Sequence, residues 1–462
     1  MRIEKDLLGE LEIPDDAYWG VHTARSVRHM SVSGKTVHRK LIHAFAVVKN
    51  AAASVNADLG FLSNAHSRAI VQACDEVSQG LFDAEFVVDA LQGGAGTSTN
   101  MNVNEVVAAR ASEILGEGRG NREAVHPIEH VNMHQSTNDV YPTALRLAAI
   151  TLLRELAQSV ALLQGAFQRK EKEFARIVKI GRTELQDAVP MTLGQEFGAF
   201  AEAISRDRWR TFKCEERLRV VNLGGTAIGT GLTAPRDYIF RVVDKLREIS
   251  GVGFARGENL TGETAHCDAL VEVSGILKAL ASNLVKISTD LRQLNMLGEI
   301  ALPPVQAGSS IMPGKVNPVV CEMVAQVGLK AMANDFLVAD CASRGSFQIN
   351  EFLPLIANSL LESLEILNSA CAIFATHVDA VAANAERCRA HLFSSDALIT
   401  ALVPEIGYNA CSELISEYRN HHAESKNLHS FLCERLGAEK VEAACRPEAV
   451  LMLGHRKRNN AP

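Results

Sequence analysis

Aromatic side chains are scarce in this chain: phenylalanine, tryptophan and tyrosine together make up 5% of its 462 residues. Alanine and leucine abound instead, a balance that favours helix over sheet and an all-α fold. Paired cysteines are missing as well. The ten cysteines run from Cys74 to Cys445 without one C-x-x-C pair, so buried thiols in a reducing compartment are expected, not disulfides or a metal site. Positive charge is not in excess. A net charge of -7 speaks against nucleic acid as a partner, and the short Arg456-Lys457-Arg458 run reads as a solvated tail. No apolar run reaches the roughly 18 residues of a membrane span, and the charged opening Met1-Arg2-Ile3-Glu4-Lys5-Asp6 is no signal peptide. Repeats and low-complexity segments are also lacking. The expectation is a soluble, cytoplasmic protein with no membrane partner, and 47% hydrophobic content is ample for a large core.

Against that background one stretch is dense with chemistry: Gly308-Ser309-Ser310-Ile311-Met312-Pro313-Gly314-Lys315-Val316-Asn317-Pro318. Gly308 and Gly314 permit positive φ and close approach of backbone to a ligand, while Pro313 and Pro318 stiffen the segment. Asn317 followed by Pro318 reads as an N-cap and first-turn proline for a helix through Val320, Val324 and Val327. Free amides at that helix start, together with Lys315, attract a carboxylate. Ser309 or Ser310 then lies beside a bound anion. A serine is a poor base, and works as one only where amides and a cation stabilise its alkoxide. The bland alternative is a linker, but linkers rarely combine these constraints.

Three further stretches carry hydrogen-bonding side chains at helix starts. Gln92-Gly93-Gly94-Ala95-Gly96-Thr97-Ser98-Thr99 leads into a helix through Val106, Val107 and Ala111, an arrangement that suits a carboxylate on amides and hydroxyls. Gln135-Ser136-Thr137-Asn138-Asp139 opens another, and capping and substrate binding can coexist there. Gly181-Arg182-Thr183-Glu184-Leu185-Gln186 precedes Thr192 and Gln195, which form a capping box for the next helix. His126, His130 and His134 have the spacing of metal ligands on one helix face. Pro127 interrupts the run and no acidic cluster follows, so hydrogen-bonded or surface histidines are the better reading.

Helical stripes fill the middle of the chain. Leu145, Ala149, Leu152, Leu156, Val160, Leu163 and Phe167 form one stripe. Leu270, Val273, Leu277, Leu280, Leu284, Ile287, Leu291 and Leu294 keep a heptad rhythm. Leu353, Ile356, Leu360, Leu364 and Leu367 form a third. Helices are also expected over 40–59, 64–79, 409–419 and 427–435, whereas Leu7 to Thr23 reads as an irregular arm. The stripes predict a bundle completed by other subunits. The parts are 1–135, an N-terminal helical domain; 136–385, a central long-helix bundle carrying the signature loop; and 386–462, a small C-terminal helical domain.

The 308–318 stretch resembles the signature loop of the aspartase/fumarase superfamily, G-S-S-x-M-P-x-K-x-N, with every fixed position matched. The resemblance continues through Gln92 to Glu105, Ser136 to Asp139, Gly181 to Gln195, Asn222 to Leu232 and Leu402 to Tyr408, nearly the whole chain. Gly20-Val21-His22-Thr23 and Ser136-Thr137-Asn138-Asp139 resemble the aspartase branch. It implies elimination of ammonia from L-aspartate, a small dicarboxylate, to give fumarate, without cofactor or metal, in a homotetramer whose active sites are shared between subunits. By resemblance Ser309 takes the β-proton. Thr183, Lys315 and Asn317 hold the α-carboxylate, Thr97, Ser136, Thr137 and Ser310 the β-carboxylate, Ser98 is a further substrate-binding residue, and Asn138 lies near the amine. Glu184 stands where fumarases and many aspartases carry a histidine that pairs with the glutamate matching Glu322. Two facing carboxylates call for a shared proton or a substrate ammonium, which favours an amine. About five residues of an S-G-P-R segment are missing before Gly298, and His126-Pro127-Ile128-Glu129 lacks the asparagine of the fumarases' second anion site. The alternatives are fumarate hydratase, a C-N lyase for another succinyl amine, an inactive structural homologue or a metal-dependent hydrolase.

Overall fold

The structure, a computed structural model, describes residues 1–421 and 426–454. The basic run at Arg456 therefore lies outside the described residues. The chain opens on an antiparallel hairpin, β1 (Arg2–Asp6) with β2 (Gly9–Ile13), followed by α1 (Val21–Met30). This corrects the irregular arm expected there. Five-residue strands leave little periodicity, and the segment is ordered by distant groups. Arg2 donates to the carbonyls of Pro14 (2.7 Å), Ala17 (2.9 Å) and Trp19 (2.8 Å), and Glu105 accepts the amides of Gly20, His22 and Thr23 that open α1.

The helices that follow are α2 (Arg39–Asp58), α3 (Asn64–Ser78), α4 (Thr97–Ile114), α5 (Thr137–Glu173), α6 (Leu193–Arg217), α7 (Arg236–Ser250), α8 (Leu260–Ala265), α9 (Asp268–Leu297), α10 (Val319–Ala342), α11 (Leu353–Asp379) and α12 (Ala385–Ser394). Between α5 and α6 stands a second hairpin, β3 (Val178–Thr183) with β4 (Gln186–Thr192). The helical expectations hold. All residues of the three stripes are buried, because a spacing of three and four keeps them on one helix face. α5 alone among the described helices has the length and apolar content of a membrane span. Its stripe is buried within the protein, and Arg146 on the same helix pairs with Glu263 at 3.1 Å, which marks a core helix.

Two compact units emerge. The first comprises Met1–Ala157, Arg210–Ala281 and Leu329–Asn368, the second Gln158–Trp209, Ser282–Gly328 and Ser369–Pro462. Helices α5, α6, α9, α10 and α11 contribute residues to both. In the first unit α2 packs on α3 and α7, and α3 on α4. In the second, Phe167 meets Phe197, Phe200 and Phe374 at ring distances of 5.7 to 6.2 Å, so the few aromatics are concentrated in one core. A C-terminal cluster of Leu392, Leu402, Leu428, Phe431 and Leu432 closes around Ile180 of β3.

Candidate active site

The signature loop lies in the second unit and is closed on itself. The Gly308 amide donates to the Lys315 carbonyl at 2.7 Å, and the Asn317 side-chain amide donates to the Gly308 carbonyl at 2.9 Å. A Cβ on Gly308 would meet that Lys315 oxygen at 2.7 Å, so the closure requires glycine. Asn317 is thus a latch and not the expected cap. One of its two side-chain N–H groups is given to Gly308, its side-chain oxygen accepts no backbone amide among the described residues, and α10 begins at Val319 with the Glu322 amide donating to Pro318. The Ser309 hydroxyl oxygen accepts from the amides of Ile311 (3.2 Å) and Met312 (3.0 Å). Two N–H dipoles aimed at one oxygen favour its deprotonated form. Ser310 and Lys315 are exposed, and Lys315 makes no ion pair among the described residues. Glu322 sits 3.8 Å from Arg292 of α9.

Thr183 and Glu184, in the same unit, stand at the tip of the β3–β4 hairpin. Glu184 (φ 53°) and Leu185 (φ 62°) form a two-residue turn in the left-handed region, where glycine or asparagine is usual. Each costs of order 1–3 kcal/mol, a strain typical of functional positions. Both Thr183 and Glu184 are exposed, and no hydrogen bond or ion pair joins either to the 308–318 loop among the described residues.

The base of this hairpin is anchored by a group that sequence reasoning passed over. Glu299 is fully buried; its carboxylate lies 2.9 Å from Lys179, 2.8 Å from Arg182 and 2.8 Å from His391. Despite burial, Arg182, Lys179 and His391 hold this carboxyl down at about 2. The native state binds the proton more weakly than the unfolded chain, whose glutamate titrates near 4.5. The contribution, roughly 3 kcal/mol, is therefore full above pH 4.5 and lost as pH falls toward 2. Accordingly, the stability gap between wild type and Glu299→Gln in urea melts should narrow between pH 5 and pH 3. A constant gap would show that the network carries no such linkage.

In the first unit, Gly94 (φ 76°), Ala95 (φ 54°) and Gly96 (φ 95°) turn the chain through left-handed conformations into α4. Thr97 donates its hydroxyl to the Gly94 carbonyl at 2.8 Å, and Ser98 is buried without a side-chain partner among the described residues. Ser136 accepts from the Asn138 amide at 3.2 Å, and Thr137 accepts from the Asn100 side chain at 3.1 Å. Both hydroxyl hydrogens remain free to be given to a carboxylate. Asn138 donates to the Ala227 carbonyl at 2.7 Å, which leaves its side-chain oxygen to accept from an ammonium.

Asp139 fastens this helix start. Fully buried, it accepts from the amides of Ser136 (2.9 Å), Gly224 (3.1 Å) and Thr226 (3.0 Å), and burial pushes its carboxyl up to about 6. The Asn222 to Leu232 stretch thereby serves as a brace for the loop at Ser136. Lys49 of α2 lies in the same cluster and also escaped notice. Its signal was a lysine on the buried face of an apolar helix, four residues after Phe45 and three before Ala52. The three histidines hold structure: His126 caps a short turn, His130 accepts from the His126 amide at 2.9 Å, and His134 meets Asn56 at 2.7 Å.

Comparison with known proteins places this geometry. A family model described as "Lyase" matches residues 9–333. An aspartate ammonia-lyase from Pseudomonas aeruginosa is 47% identical over 416 residues, 88% of this chain and 88% of that protein. A class II fumarate hydratase from Thermosynechococcus vestitus is 41% identical over 464 residues, 98% of each. The crystal structure of a fumarate lyase:delta crystallin from Brucella melitensis matches with a TM-score of 0.92 at 45% identity, covering 97% of this chain and 99% of that one. With the signature loop, the helical fold and this coverage in agreement, the chain belongs to the aspartase/fumarase superfamily of lyases.

Proposed function

We propose that this lyase eliminates ammonia from L-aspartate to give fumarate. The observation that carries the reading is Ser309, whose oxygen receives two backbone amides in a loop that also presents Lys315. In this mechanism the Ser309 alkoxide takes the proton from the β-carbon, and the C–H electron pair moves into the β-carboxylate. The resulting aci-carboxylate is held by donors from Thr97, Ser98, Ser136, Thr137 and Ser310. Return of that pair forms the double bond and expels the amine as ammonia. Lys315, Asn317 and Thr183 hold the α-carboxylate, with Asn138 and Glu184 at the amine and Glu322 as Glu184's partner. Relatives named aspartate ammonia-lyase at 41–47% identity support the substrate.

The assembly in this reading is a cytoplasmic homotetramer with each site completed by several subunits, and a central bundle over 136–385 forms its core. No metal or redox group enters the chemistry. A second reading, a C-N lyase for a substituted aspartate or another succinyl amine, is favoured by Glu184 and by the shortened connection before Gly298. The test is absorbance at the fumarate band with L-aspartate, L-malate and N-substituted aspartates supplied separately. Fumarate from aspartate alone supports the first reading; silence with aspartate and turnover of another substrate overturns it. Glu184→Gln should then lower turnover about tenfold and shift its pH dependence, the scale expected for one charged contact. Unchanged rates and profile would remove Glu184 from the amine site.

A further inference from the structure

Lys49 is 0% exposed, and its ammonium reaches two neutral amide oxygens, Asn132 at 3.3 Å and Gln135 at 3.2 Å. No carboxylate lies within ion-pair distance of it among the described residues. Burying a cation without a counter-ion is expensive, and an apolar side chain of similar size would remove the cost. The arrangement around it is directional. The Asn132 oxygen accepts from Lys49, from Asn100 at 3.1 Å and from Asn104 at 3.2 Å. The same Asn100 amide reaches the Thr137 hydroxyl oxygen at 3.1 Å, while Asn132 donates to the Gln135 carbonyl at 3.2 Å.

We propose that Lys49 is a positioning residue for the carboxylate-binding loop. Through Asn132, Asn100 and Gln135 its ammonium fixes the segment 135–138 and leaves the Thr137 hydroxyl hydrogen free for the substrate carboxylate. The inference rests on the lyase reading, in which Thr137 touches that carboxylate. A charge-assisted donor holds an amide oxygen more firmly than a neutral one, and its positive charge lies behind a site where a dianion develops. The titratable groups around the ammonium are Cys74 on α3 and Asp139 on α5. Burial brings the ammonium down to about 7, so the charge is held close to its limit near neutrality.

The test compares Lys49→Met, Thr137→Val and the double variant. Binding of succinate is read by calorimetry, and turnover is read with whichever substrate the wild type converts. Lys49→Met should fold, weaken succinate about tenfold to hundredfold and lower kcat/KM similarly, the loss expected when a binding group drifts by about an ångström. In the Thr137→Val background the same change should cost little, because the hydroxyl it positions is gone. A purely structural lysine would lower the melting temperature and give additive losses. Unchanged succinate binding, or full additivity, overturns the proposal whatever the turnover result. A wild type inactive on every substrate, yet still binding succinate through Lys49, would instead overturn the lyase reading alone. If Lys49→Met does not fold, Asn132→Leu breaks the same relay and carries the same two outcomes.

Discussion

Ser309→Ala lowers turnover by about 10³- to 10⁴-fold, the loss expected when a base positioned at a carbon acid is removed. In the proposed reaction a serine, ordinarily a weak base, is assisted by its surroundings. Its oxygen already receives the Ile311 and Met312 amides at 3.2 and 3.0 Å, and the loop that holds it is latched by Asn317 onto Gly308 at 2.9 Å. Alanine also removes these two turn bonds, worth about 1 kcal/mol each, so the melting temperature and assembly state must be measured beside the initial rate. A folded variant with near-normal fumarate production would strip Ser309 of its role. Ser310, exposed and unbonded among the described residues, would then be the next candidate.

The second large effect is on stability. Gly96→Ala costs roughly 3 to 5 kcal/mol, combining left-handed backbone strain with overpacking. The φ at this position is 95°, and an added Cβ would land on the Tyr141 ring, which is 1% exposed and packs edge-on against Phe45 at 5.5 Å. The ring has nowhere to go. Gly94→Ala is the control: its φ is 76°, but a Cβ there meets only Thr97, at 3.8 Å. About 1 kcal/mol is expected from the backbone alone. Equal denaturant midpoints for the two variants would show that close approach to Tyr141 does not matter. Because Thr97 follows directly, the variant also tests how tightly the helix start is coupled to the core.

The signature loop, the glycine turn before Thr97 and the Thr192–Gln195 capping box were legible because each is a local pattern. The box is present as read, with Thr192 donating to Gln195 at 2.9 Å and Gln195 donating back at 3.1 Å. Asn317 was misread because asparagine before proline has two local uses, capping and loop closure. Only the position of Gly308, nine residues earlier, selects the second. The hairpins β1–β2 and β3–β4 escaped notice for a different reason. Their strands are short, and the β3–β4 turn uses Glu184 and Leu185 in place of the asparagine and glycine that announce such turns.

By itself the sequence determined the helical class, the three buried stripes and the residues of the signature loop. These depend on spacings of a few residues, where a periodic burial pattern or a turn-forming residue acts on its own neighbours. Tertiary structure alone decided which polar groups surround the buried charges. Glu299 finds Lys179 and Arg182 more than a hundred residues earlier and His391 some ninety later. Lys49 finds Asn132 and Gln135 over eighty residues away. A buried charge is stabilised by whichever dipoles the packed chain brings to it, and the local sequence around either residue carries no trace of those partners.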